Sequence, residues 1–223
     1  LDKCGEEVAM AKDIDLKKGE LTRHVNKAAK AIADGFIIVI PMEHSYAYVC
    51  DAFRADSVRA MHVLRGDPLF TAAQVIVGST KTAEGVVREI TPEIKGLMKK
   101  FWPGMVSMNL RPQIGLSWDL GDNNQLDRVS IRIPKAKFAK ALVAQTGPLA
   151  VASAARKGMP APKMLSDVMV LDSDVALKFD SGTLRKGPIS TVVEADETGV
   201  RVLRVGAVSL EEIQAIVPGA TGA

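Results

Sequence analysis

The chain has 223 residues, of which 47% are hydrophobic and 25% are charged. These values lie in the normal range for a globular protein that buries one substantial core. The net charge of +3, from 29 basic and 26 acidic residues, is too small to indicate a nucleic-acid-binding protein by itself.

The cysteine content and the hydropathy indicate in which cellular compartment the protein occurs. The two cysteines, Cys4 and Cys50, form no paired spacing and no cluster of metal-ligand type, which is typical of a reducing compartment. No apolar run reaches the ~18 residues that a membrane-spanning helix needs. We therefore predict a cytoplasmic protein that has no membrane partner and no resident metal site.

The elements follow in chain order. Residues 1–20 mix charges with few apolar positions, which predicts an exposed arm or a short loose helix. Thr22 can cap a helix that Asp34 and Gly35 end, and a β-branched run over 36–40 is typical of a buried strand. The remaining predictions are helices over 55–64, 92–100, 135–145 and 210–217, and strands over 73–77, 105–110, 129–133, 149–153, 168–171, 189–193 and 200–205.

Alternation of helices with short strands predicts the α/β class, with helices packed on a twisted, mostly mixed sheet. We see no internal repeat, so we predict one domain over 21–217, preceded by the arm 1–20 and followed by a short tail over 218–223.

Five short motifs are spread along the chain. In order and spacing they resemble the YrdC-like family of threonylcarbamoyl-adenylate synthases, and the resemblance extends from about Leu21 to about Val217. The motifs are Phe101-Trp102-Pro103-Gly104, Arg132-Ile133-Pro134, Ser153-Ala154-Ala155-Arg156-Lys157-Gly158, Ser190-Thr191-Val192-Val193 and Leu203-Arg204-Val205-Gly206.

The resemblance implies a YrdC-like domain with a concave basic face. An intact member joins L-threonine, bicarbonate and ATP, with Mg²⁺ assisting, into threonylcarbamoyl-AMP for the modification of tRNA. Some members have also been linked to double-stranded RNA and to translation. ATP with Mg²⁺, L-threonine, and double-stranded RNA or tRNA are thus the implied ligands and partners.

The segment that follows the first buried strand matches the family only in part. Pro41, Glu43 and Tyr46 agree with the family pattern, whereas Met42 stands where the family has a threonine that helps to hold the amino-acid substrate. The resemblance makes Tyr46 a substrate-binding candidate. The alternative is a core-facing aromatic whose hydroxyl reaches the surface.

Arg65-Gly66-Asp67-Pro68 stands where the family has Lys-Gly-Arg-Pro. In the family, these two cations neutralise the nucleotide phosphates and the charge that develops as pyrophosphate leaves. Arg65 keeps one cation and is a catalytic and nucleotide-binding candidate, whereas Asp67 inverts the other charge. A divalent ion could bridge Asp67 to phosphate, or the segment is an ordinary turn with solvated charges.

The later motifs supply the remaining candidates. The resemblance implies that Arg132 holds the substrate carboxylate, for which a guanidinium is well shaped, although an arginine at a strand end is otherwise often a surface ion-pair member. It also implies a substrate-facing hydroxyl at Ser190 and a nucleotide-contacting guanidinium at Arg204. Ser153 is a catalytic and nucleotide-binding candidate, but the family asparagine two residues later is Ala155 here.

Two hypotheses remain open. The first is a diverged member that binds nucleotide or RNA with impaired catalysis, in which Arg65, Arg156 and Lys157 contact RNA phosphates. The second is an active threonylcarbamoyl-AMP synthase. In both, we predict that Arg132, Ser190 and Arg204 converge on one cavity.

Overall fold

The computed structural model describes residues 12–123, 125 and 127–222. These residues form an 11-stranded sheet of parallel and antiparallel strands with helices packed on it. The predicted α/β class and mixed sheet are therefore confirmed. The strands are β1 (Lys12–Asp15), β2 (Ile38–Pro41), β3 (Tyr46–Asp51), β4 (Gln74–Ile76), β5 (Val106–Leu110), β6 (Val129–Arg132), β7 (Leu149–Ser153), β8 (Leu177–Asp180), β9 (Thr191–Asp196), β10 (Gly199–Arg204) and β11 (Thr221–Gly222).

The helices begin where local capping chemistry satisfies the first free N–H groups. Ser79 and Thr91 each accept a hydrogen bond from the residue three positions on, and Ser209 forms a reciprocal capping box with Glu212. None of these helices is long and apolar enough to cross a membrane within the described residues. The helices are α1 (Leu21–Ala33), α2 (Ala55–Arg65), α3 (Thr80–Val86), α4 (Pro92–Phe101), α5 (Lys137–Thr146) and α6 (Leu210–Gln214).

Two apolar clusters lie on opposite faces of the sheet. One cluster joins α1 and α5 to side chains of β2, β3, β7 and β4, among them Ile40, Val49 and Ile76. The other joins α2, α4 and α6 to the reverse face, including Val75 and Ile131. Within the described residues, the first cluster contains no side chain of β5, β6, β9 or β10. The helices α1 and α5 therefore do not cover the part of this sheet face that these four strands form.

The strand order is β1-β8-β2-β3-β7-β4-β6-β5-β9-β10-β11. β4 lies in the middle of this order, antiparallel to β7 and parallel to β6. The ends of the central strands therefore bring residues from distant parts of the sequence to one face.

Three strands depart from the prediction. Lys12–Asp15 form β1, parallel to β8, so the prediction of an arm or loose helix is wrong there; residues 1–11, including Cys4, lie outside the described residues. Tyr46–Asp51 form the nearly fully buried β3, and Thr221–Gly222 pair with β10. The domain limits at 21 and 217 stay a prediction.

The predicted strand over 168–171 is wrong. This segment forms no strand, and Met169 and Leu171 are 88% and 70% exposed. Its apolar run has no neighbouring strand with which to pair, and the Asp174 N–H bonds to the Leu171 carbonyl in a turn. The strand of this region is β8, which pairs with β1 and β2.

Candidate functional site

The sheet face that α1 and α5 cover becomes polar beyond β4. Side chains alternate across each strand, and the register places Gln74, Ser130 and Arg132 on the same face as Ile76. We call this surface the polar face. It comprises Gln74, Ser107, Asn109, Ser130, Arg132, Ser153, Ser190 and Arg204.

A chain of hydrogen bonds crosses the polar face. The Gln74 amide donates to Ser107 Oγ at 2.7 Å and to Ser130 Oγ at 3.1 Å. Ser107 Oγ donates to Ser190 Oγ at 3.3 Å. Arg204 donates to the Ser190 carbonyl from Nε at 3.2 Å and from Nη2 at 2.9 Å. Two of the predicted residues, Ser190 and Arg204, are thus in direct contact.

Arg132 is held by an internal carboxylate. Its two terminal nitrogens each donate to one oxygen of Glu43 at 2.9 Å, and the two side chains are only 7% and 9% exposed. The Lys135 N–H adds a bond of 2.7 Å to the same carboxylate. Arg132 therefore is an ion-pair member, but a buried one, and a substrate carboxylate would have to share its guanidinium with Glu43.

The protonation of Glu43 reflects these contacts. Burial alone would raise the pKa of Glu43, but the Arg132 guanidinium and the Lys135 N–H outweigh burial and hold the pKa below its ordinary value. Arg132 also donates to the Gly104 carbonyl at 3.1 Å and lies 3.9 Å from Met105 Sδ. Because the Met105 carbonyl accepts the Thr191 N–H, Arg132 lies beside the segment that carries Ser190.

Three side chains of the polar face have buried polar atoms without a hydrogen-bond partner. They are Asn109 Oδ1, Arg132 Nε and Ser153 Oγ. Leaving a buried donor or acceptor unpaired costs about 1–3 kcal/mol. Because these atoms have almost no accessible surface, a ligand reaches them only if the surrounding side chains move.

Arg65 and Asp67 form the second internal ion pair. Arg65 Nε donates to Asp67 Oδ2 at 2.8 Å, and the side chains are 14% and 3% exposed. His62 Nδ1 lies 2.9 Å from the same oxygen. The alternative of a turn with solvated charges is therefore wrong, because both charges are buried against each other.

The same pair ties the two altered motifs together. Arg65 Nη1 donates to the carbonyls of Ser153 and Ala155, the latter at 3.0 Å. Burial alone would raise the pKa of Asp67, but the hydrogen bonds from Arg65 and His62 hold it below its ordinary value. The cation predicted for phosphate contact is thus bonded within the protein.

Tyr46 lies away from the polar face. It is fully buried in the opposite apolar cluster. Its hydroxyl donates to the Asp180 carboxylate at 2.8 Å and to the Gly182 carbonyl at 2.7 Å, and burial raises its pKa to about 12. This placement corresponds to the core-facing alternative.

Arg156 and Lys157 are exposed in the loop after β7. Among the described residues neither forms an ion pair, whereas Arg65 and Arg132 do. The Lys157 N–H donates to the Arg65 carbonyl at 2.7 Å, so the two free cations lie beside the buried pair. Of the three cations predicted to contact RNA, two are available at the surface.

A cavity of about 440 Å³ opens beside the Arg132–Glu43 pair. Met42 and Glu43 form part of its wall, together with Lys137 at the start of α5 and Ser181 in the loop after β8. The thioether of Met42 offers no hydrogen-bond donor to this cavity. The cavity thus adjoins the polar face through Glu43.

Gln74, Asn109 and Ser130 are polar-face residues that the sequence analysis missed. Their signal was a polar residue at every second position of an otherwise apolar strand. No group of three or more His, Cys, Asp or Glu side chains within the described residues could hold a metal ion.

Comparison with known proteins gives two similar relatives. A Mycobacterium tuberculosis protein named "Putative threonylcarbamoyl-AMP synthase" is 34% identical over 193 residues, which are 86% of this chain and 88% of that protein. The threonylcarbamoyl-AMP synthase of Bacillus subtilis is 27% identical over 202 residues, which are 86% of this chain and 56% of that protein.

Solved structures show the same fold. P. abyssi Sua5 complexed with L-threonine superposes with a TM-score of 0.84 at 25% identity, over 96% of this chain and 62% of that one. E. coli YciO superposes with a TM-score of 0.77 at 19% identity, over 92% and 99% of the two chains.

A family model also matches most of the chain. Residues 30–206 match the Sua5/YciO/YrdC model, which is described as "Telomere recombination". This range contains every residue of the polar face, and the mycobacterial relative is similar over nearly its whole length. The chain therefore belongs to the Sua5/YciO/YrdC family.

Proposed function

We propose that this chain binds an adenine nucleotide and L-threonine at the polar face and acts in the formation of threonylcarbamoyl-AMP for tRNA modification, with impaired adenylyl transfer. The supporting observation is a contrast between two arginines. Arg204 is exposed and donates to Ser190, whereas Arg65 is bonded to Asp67. The site is thus better equipped to hold a ligand than to activate one.

The proposal for L-threonine is supported by the P. abyssi structure with that ligand and by the names of the relatives. A zwitterionic amino acid needs donors for its carboxylate and acceptors for its ammonium. Arg132 Nε and Ser153 Oγ can donate, while Asn109 Oδ1 can accept. Among the described residues these three atoms have no hydrogen-bond partner, and because they are buried, neighbouring side chains must move before L-threonine bonds to them.

The impaired step is the release of pyrophosphate. Charge that builds up on a leaving pyrophosphate is stabilised by cations already aimed at it. Arg65 directs Nε and Nη1 to protein acceptors, and Ala155 supplies no side-chain hydrogen bond. Losing one such donor typically lowers the rate about a hundredfold, so two losses compound.

An active threonylcarbamoyl-AMP synthase is the second candidate. In that reaction L-threonine, bicarbonate and ATP give threonylcarbamoyl-AMP and pyrophosphate. The 34% identity to a relative that carries this name supports it. The rate of pyrophosphate release separates the two candidates, because both require the nucleotide to bind.

Binding of double-stranded RNA or tRNA is a separate proposal. It is supported by the exposed Arg156 and Lys157, because cations that contact phosphates release counterions. Replacing both by alanine should then reduce the slope of log affinity against log salt by about one unit per lost phosphate contact. RNA affinity that is independent of salt, or unchanged in the double variant, would exclude this role.

The nucleotide site is tested by calorimetric titration of an ATP analogue with and without L-threonine. Arg204→Ala should abolish binding. Arg201→Ala is the matched control, since Arg201 lies on the same strand and is bonded to Glu194 instead of Ser190. Equal binding by both variants would place the nucleotide elsewhere and overturn the proposal.

A further inference from the structure

The Arg65–Asp67 pair has a geometry that limits what Arg65 can offer a ligand. A guanidinium has five N–H donors. Nε donates to Asp67, and Nη1 donates to the carbonyls of Ser153 and Ala155. Among the described residues Nη2 makes no hydrogen bond, and the Arg65 side chain as a whole is 14% exposed. Arg65 therefore presents one nitrogen to a ligand, which suits a single phosphate oxygen and not a bidentate grip on a polyphosphate.

The charge next to this nitrogen is balanced inside the protein. Asp67 is 3% exposed, and its Oδ2 accepts from Arg65 while His62 Nδ1 lies at 2.9 Å. Asp67 Oδ1 is buried without a partner. The carboxylate thus acts at short range in a poorly screened environment, where it cancels much of the attraction of Arg65 for an anion.

We infer that Asp67 sets the ligand charge that the site accepts, so that a nucleotide with one phosphate binds in preference to a nucleoside triphosphate. This inference rests on the proposed nucleotide site. Among the described residues, the cations of the loop after β7 that form no ion pair are Arg156, Lys157 and Lys163, and Lys163 is half-buried. Each phosphate beyond the first adds negative charge for which the buried pair supplies no counter-charge.

Removing the charge of Asp67 should favour the binding of more highly charged ligands. If Asp67 is neutral, Arg65 keeps its contacts to the carbonyls but its charge is no longer cancelled. Attraction for a ligand then grows with the ligand's charge. The affinity for a triphosphate should consequently rise more than the affinity for a monophosphate.

The test is a titration of AMP and of ATP in buffer without divalent ions, so that the triphosphate carries its full charge. Wild-type protein should bind AMP at least as tightly as ATP. In Asp67→Asn, ATP affinity should rise about tenfold and AMP affinity about threefold or less. Asp56→Asn is the control: it removes the same charge from an exposed residue on the same helix, about 14 Å along its axis from Arg65.

Three outcomes overturn the inference. ATP that binds wild-type protein at least tenfold tighter than AMP, with loss in Arg204→Ala, overturns the inference and leaves the proposed function standing. An unchanged AMP-to-ATP ratio in Asp67→Asn also overturns it. Binding of neither nucleotide overturns both. The wild-type comparison needs no variant, so the inference stays testable even if Asp67→Asn fails to fold.

Discussion

Two arginine–carboxylate pairs flank the polar face, and they differ in how completely the carboxylate is satisfied. Glu43 receives both terminal nitrogens of Arg132 and a backbone N–H of the α5 start. Asp67 receives one nitrogen of Arg65 and shares that oxygen with His62, while its other oxygen has no partner. The Glu43–Arg132 pair therefore connects distant parts of the chain, whereas Asp67 mainly neutralises the charge of Arg65.

Replacing Glu43 should have the largest effect on the stability of the protein. In Glu43→Gln, the buried guanidinium of Arg132 loses its counter-charge, which should lower the free energy of unfolding by about 3–5 kcal/mol. Urea unfolding at pH 7 measures this loss. Asp56→Asn is the control, because its ion pair with Arg59 is exposed, with side chains 93% and 61% exposed, and such pairs are worth about 0–1 kcal/mol. Equal losses in both variants would contradict the structural role of Glu43.

Asp67→Asn should have a smaller effect on stability. The amide keeps an oxygen that can accept from Arg65, and the replaced carboxylate already had one unpaired oxygen. We expect a loss of about 1–3 kcal/mol in the same urea measurement. A loss as large as that of Glu43→Gln would show that the two pairs have the same structural weight.

The two carboxylates, Glu43 and Asp67, should also make the stability of the protein depend on pH. The pKa of Glu43 and of Asp67 is lower in the folded protein than its ordinary value. Each carboxylate therefore adds stability that is complete above its unfolded pKa of about 4 and declines as the pH falls towards the folded pKa. The urea midpoint should fall below pH ~4, and this fall should be shallower in Glu43→Gln and, to a lesser degree, in Asp67→Asn. If the urea midpoint of both variants falls with pH as steeply as that of the wild-type protein, these two carboxylates do not cause the pH dependence.

Local chemistry made much of the fold predictable. The buried residues of α1 recur at helical spacing, and hydroxyl caps begin α3, α4 and α6. β1 and β11 could not be predicted in this way, because each is a strand only through its pairing with β8 or β10. The run over 168–171 shows the converse, since apolar residues without a partner strand remain exposed.

The candidate site was predictable in its residue types but not in its charge balance. Ser190 and Arg204 lie together, as their motifs indicated. That Arg132 is neutralised by Glu43 follows only from a contact between residues 89 positions apart. Asp67 lies two positions from Arg65, but Arg65 also donates to the carbonyls of Ser153 and Ala155, which lie 88 and 90 positions further along the chain.

We propose that the site holds a nucleotide but transfers its adenylyl group poorly. The most direct measurement is the rate of pyrophosphate release from ATP with saturating L-threonine, bicarbonate and Mg²⁺. We predict release that is undetectable or at least a hundredfold slower than ordinary enzyme turnover. A turnover of about 1–10 per second would contradict this account and identify an active synthase.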